Sequence, residues 1–81
     1  MPTTPNAVAT AWGQAIQRQR EHVMKMSRAE LAGELDVSRE MVRLWETGQH
    51  APSSRMQSVL IAKLGIDPGT VARLIQAGAA A

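Results

Sequence analysis

The stretch "VSREMVRLWETGQHAP", residues 37–52, sets Arg39, Glu40 and Arg43 close together, with Trp45 and Glu46 just beyond. A guanidinium is a planar fork of N–H donors. It matches a carboxylate, a phosphate or the O6/N7 edge of guanine. Glu40 accepts hydrogen bonds, either from an exocyclic amine or from a neighbouring arginine. This is binding chemistry. Catalytic chemistry lacks its parts. The chain has no cysteine, and His22 and His50 lie far apart with no carboxylate cluster beside them. No nucleophile–base pair, paired carboxylate or glycine-rich phosphate loop is present. No enzyme activity, metal or cofactor is therefore expected, and no small-molecule ligand.

Positioning these residues falls to helices. Ala, Leu, Arg, Gln and Glu dominate and no segment alternates like a strand, so the fold class is all-α. Five short helices are expected. The first runs from Pro5 or Asn6 to about His22, capped by Thr4, with Trp12, Ile16 and Val23 as one apolar stripe. The second starts after Ser27, with Glu30 completing a capping box, and turns inward Leu31, Ala32 and Leu35. Asp36 marks a tight turn. The third opens at Ser38 and ends near Thr47, with Gly48 free to take a left-handed stop. Pro52 and Ser53 start a fourth, which turns Met56, Val59, Leu60 and Leu64 inward and stops at Gly65. Asp67 and Pro68 start a fifth, which buries Val71, Leu74 and Ile75. At about 100° per residue, Arg39, Glu40, Arg43 and Thr47 share one side of the third helix, and Val42 and Trp45 the other.

The 81 residues suffice for one small domain. Residues 1–5 are expected to fray, 6–76 to form the domain and 77–81 to be a flexible tail. Nine Lys/Arg against seven Asp/Glu give a mild +2, so distribution matters more than total. No apolar run approaches the ~20 residues of a membrane span, and the start lacks the regions of a signal peptide. The expected compartment is the cytoplasm, of a bacterium or a phage-infected host.

The segment "RAELAGELDVSREMVRLWET", residues 28–47, resembles the helix-turn-helix of the lambda-repressor-like family, also called Cro or XRE. Ala32 stands where a small residue lets two helices cross. Val37 is the apolar residue after the turn, and "WETG" followed by Pro52 is similar to the family's ending. "WGQAIQRQR" resembles the first helix, and "SRMQSVLIAKLGID" the fourth helix and its exit. The resemblance covers residues 12–75. There are three departures. Asp36 replaces the usual turn Gly, though Asp tolerates a left-handed backbone. Arg28 replaces a common Gln. The link "EHVMKM" is about one residue longer and lacks its common Gly, so the first helix is expected to run on to about Met24.

The resemblance implies a compact five-helix domain that binds double-stranded DNA. Its third helix would enter the major groove, with Ser38, Arg39, Glu40, Arg43, Leu44 and Thr47 facing bases; Leu44 would touch a thymine methyl. Arg28, Lys25, Gln49, His50, Ser53, Ser54 and Arg55 would meet phosphates near helix N-termini. A solvated charge is the plainer alternative for each. Arg20 holds the position of the arginine that in the family pairs with Glu46; with Trp45 as core, the pair would latch the first helix to the third. A near-palindromic operator is implied, with a weak homodimer that could form only on DNA, through the surface of Ile66, Val71, Leu74 and Ile75. The plainer alternative is that these close the core, above all Val71 and Leu74, which leaves Ile75 and the alanine tail as the better partner candidates. A Cro-like phage repressor fits best. The alternatives are an antitoxin-type regulator of a toxin pair and a protein-interaction module that contacts the transcription machinery.

Overall fold

The computed structural model describes residues 7–80. Its elements are α1 (Ala7–Arg18), continued by a π-helical segment (Gln19–Met24), then α2 (Arg28–Leu35), α3 (Arg39–Glu46), α4 (Ser54–Leu64) and α5 (Pro68–Ala80). No strand occurs among the described residues. Over the described residues the fold is all-α, with five helices, as the resemblance implies. The expected cap at Thr4 and the start at Pro5 or Asn6 lie outside the described residues.

Local chemistry sets most helix ends. Ser27 Oγ accepts from the Glu30 N–H at 3.0 Å, while Glu30 Oε1 accepts from the Ser27 N–H at 2.8 Å. This reciprocal box satisfies two backbone donors that a helix start otherwise leaves open. Ser38 and Ser53 cap α3 and α4 through the N–H groups of Met41 and Met56. Asp67 caps α5 by accepting from the N–H groups of Gly69 and Thr70 and from the Thr70 hydroxyl. Asp36 takes the left-handed conformation (φ 58°), so the turn between α2 and α3 keeps its shape without glycine.

The core gathers where α1 meets α3 and α5, and α2 meets α3. Ile16, Leu31, Val42 and Leu60 are fully buried, with Trp12, Leu35, Trp45, Leu64, Ile66 and Val71 around them. Gly13 lets α1 approach α3 closely: a Cβ there would collide with the Trp45 carbonyl and crowd that of Glu46. The side chain missing from Gly13 therefore sets the height at which α3 stands on α1.

Three expectations need correction. First, α1 does not run to Met24 as one α-helix. Its last six residues are π-helical, and that wider turn absorbs the extra residue of the link. The phase of the helix shifts, so Val23 leaves the apolar stripe and stands 63% exposed, while Arg20 and Met24 turn inward. Lys25 ends the segment in the left-handed conformation (φ 56°), a backbone region that favours glycine. Second, the helix does not stop near residue 76. α5 continues to Ala80; alanine is the best helix former, and Gly78 passes close to Ala7 of α1. Third, Ile66, offered as a partner contact, is buried; Val71 is buried too, in the core where the fifth helix was expected to place it.

Candidate nucleic-acid interface

α3 is held by one side and bare on the other. Val42, Trp45 and Glu46 are buried. Opposite them stand Glu40 and Thr47, both exposed, and half-buried Leu44. Arg39 and Arg43 occupy one flank. There they overhang a cleft of about 510 Å³ between α3 and the start of α2, lined also by Arg20, Glu21, Ser27 and Arg28. Met41, exposed on the opposite flank, had no place among the sequence-derived candidates.

Glu40 and Arg43 form an exposed ion pair one turn apart; Arg43 Nε donates to Glu40 Oε1 at 2.9 Å. The guanidinium hydrogen bond holds the Glu40 carboxyl below the usual carboxylate range, with the Arg43 and Arg39 charges helping. The same bond raises Arg43 above its ordinary value. Both groups stay charged at neutral pH, and Arg43 is already orientated along the helix.

Beneath this surface, Arg20 and Glu46 meet. Arg20 Nε donates to Glu46 Oε2 at 2.6 Å and Nη2 to Oε1 at 2.9 Å. The Glu46 side chain has no exposed surface and that of Arg20 is 8% exposed. The Glu46 hydrogen bond raises the Arg20 guanidinium above its ordinary value against the opposing effect of burial. Arg20 Nη1 also donates to the Met26 carbonyl, and the Arg20 carbonyl accepts from the Met26 N–H at 3.0 Å. One residue thus ties α1, the link and α3 together. Arg28 joins them, its Nε donating to Glu46 Oε1 at 2.9 Å. No short-range spacing announces that contact, because it spans eighteen positions of the chain.

The remaining candidates lie around this centre. Ser38 and Ser53 spend their hydroxyl oxygens on caps. Thr47 donates to the Arg43 and Leu44 carbonyls, and Gln49 donates to Thr47 Oγ1 at 3.0 Å. His50, Ser54 and Arg55 are exposed at the α3–α4 loop and the α4 start. Lys25 is exposed at the end of the π segment. A further polar tie, unforeseen from sequence, joins Gln19 to the end of α4, its amide donating to the Leu64 carbonyl at 2.7 Å.

The model of the Cro/C1-type helix-turn-helix family, or XRE family, matches residues 16–71. That span takes in the latch, the turn, α3 and the start of α5. The chain belongs to this family, and it is a DNA-binding helix-turn-helix regulator. Proteins of the family are DNA-binding regulators rather than enzymes. No match was found among curated proteins or among solved structures. Among the described residues, no helix is long and apolar enough to cross a membrane.

Proposed function

We propose that the protein is a Cro-like repressor that inserts α3 into the major groove of an operator. The observation that carries this reading is the division of α3. Its charged residues Arg39 and Glu40 are exposed and Arg43 is half-buried at the cleft, while Val42 and Trp45 are sunk in the core. A groove about 12 Å wide admits a helix presented in this way. Arg39 and Arg43 would each offer a fork to guanine, a contact worth about 1–3 kcal/mol of discrimination. Glu40 would accept from cytosine N4 in place of Arg43, or keep Arg43 aimed. It would also repel phosphate, which penalises wrong registers.

Arg55 and the N-terminus of α4, with Gln49 and His50 in the preceding loop, would clamp the backbone on one side. Arg28 and Lys25 would clamp it on the other. Two such modules on a near-palindromic site would multiply specificity, with half-buried Leu74 and Ile75 the apolar candidates for a weak contact between copies. The protein would act in the cytoplasm.

Selection from random duplexes tests the reading. Enrichment of a short, near-palindromic consensus with G at the positions facing the two arginines is expected. A pool that binds without enrichment contradicts sequence reading by α3.

A further inference from the structure

Glu46 carries more guanidinium than a latch needs. Its Oε2 takes Arg20 Nε, and its Oε1 takes both Arg20 Nη2 and Arg28 Nε. Arg20 is shared between Glu46 and Glu21, and Arg28 is a second cation on the buried carboxylate. The Arg28 side chain is 35% exposed. It lines the cleft beneath Arg39 and Arg43, and its Nη groups have no hydrogen-bond partner among the described residues. Charges of both signs surround it. Glu21 is engaged by Arg20, and Glu40 by Arg43. Four arginines against three glutamates leave the cleft one positive charge in excess, with Arg39 in no salt bridge among the described residues. A guanidinium tied at Nε has its plane fixed, so less side-chain freedom is lost when its outer edge meets an anion.

We propose that Glu46 is a positioning residue for DNA: through Nε of Arg28 it holds the outer edge of that guanidinium at the cleft mouth for one backbone phosphate. The proposal rests on the reading of α3 as the groove-facing helix. It goes beyond that reading by giving the buried carboxylate a part in affinity as well as in stability.

The test is a salt series of binding to a short mixed-sequence duplex. Wild type is compared with Arg28→Ala, Arg28→Lys, Glu46→Gln and the Arg28→Ala/Glu46→Gln double variant, below the melting temperature of each. Arg28→Ala should flatten the log–log salt slope by about 0.9 and weaken binding roughly eightfold at ~0.1 M salt, the counterion release of one phosphate. Arg28→Lys keeps the charge but has no Nε–H to give Glu46 while facing outward, so it should lose most of the same contribution.

Glu46→Gln removes a negative charge close to DNA. Electrostatics alone would make it bind more tightly; positioning makes it bind more weakly, with no further loss when Arg28→Ala is added. Binding by Arg28→Lys equal to wild type, or tighter binding by Glu46→Gln with an unchanged slope, overturns the proposal while leaving DNA binding intact. If Glu46→Gln does not fold, Arg28→Lys decides alone. Wild type that binds no duplex overturns the DNA reading and the proposal together.

Discussion

Gly13 of α1 lies against the main-chain carbonyl of Trp45 in α3, so closely that a single added methyl would collide with it. A glycine inside a helix normally costs about 0.5–1 kcal/mol relative to alanine. At this position the sign reverses. Gly13→Ala should destabilise by about 1–3 kcal/mol, the usual range for overpacking. Gly33, exposed on α2 with nothing near its missing Cβ, is the control. Gly33→Ala should stabilise by about 0.5–1 kcal/mol. Thermal denaturation of both variants checks this, and a shift in the same direction for the two would contradict the close approach of α1 and α3.

The Arg20–Glu46 pair separates stability from reading. Arg20→Ala leaves a buried carboxylate with only Arg28 on Oε1. The cost should be about 3 kcal/mol, the lower end of the range for breaking a buried pair, or a fall in Tm of roughly 12 °C or more. Arg43→Ala removes an exposed ion pair and should stay within about 0.5 kcal/mol of wild type. Equal melting temperatures for Arg20→Ala and wild type would contradict the latch.

Lys25 holds a left-handed backbone that costs an L-residue about 1–2 kcal/mol. Lys25→Gly should therefore raise stability, by about 1 kcal/mol or less once the greater freedom of glycine in the unfolded chain is counted. Lys25→Val should lower it. Denaturant midpoints measure both, and a destabilised Lys25→Gly would mean that the Lys25 side chain itself holds the link.

Asp67 caps α5. Its carboxyl lies below the ordinary carboxylate range, chiefly through the Thr70 hydroxyl and then the Gly69 N–H. The ionised cap therefore contributes stability that is complete above the ordinary carboxylate range and lost as pH falls through the lowered value. Asn can still cap but does not titrate. The Tm advantage of wild type over Asp67→Asn should hold at neutral pH and vanish in acid. An advantage that persists in strong acid would show that the charge plays no part.

What was legible in the sequence was whatever short spacing encodes. Ser27 with Glu30, Ser38, Ser53, Asp67 and Gly65 mark helix ends because each satisfies backbone groups within a few residues. Asp36 was readable as a turn for the same reason. The alternation of Val42 and Trp45 with Arg39 and Arg43 likewise gave the two sides of α3.

The rest depended on contacts distant in sequence or on phase. The π segment puts one extra residue into a turn, and a fixed 3.6-residue period cannot show this. Val23 was therefore placed in the stripe that Arg20 and Met24 occupy. Arg28 read as a free phosphate contact because its tie to Glu46 exists only once α2 is packed against α3. Helix propensity at the alanine end was outweighed in the reading by position near the terminus, and α5 proved longer.

The central claim is that the exposed flank of α3 reads base sequence. The most direct measurement is the ratio of affinities for a selected duplex and its scrambled counterpart at one salt concentration, for wild type and Arg43→Ala. Wild type should prefer the selected duplex, and Arg43→Ala should lose about 1–3 kcal/mol of that preference while binding scrambled duplex much as before. Equal affinity of wild type for both duplexes would contradict the account.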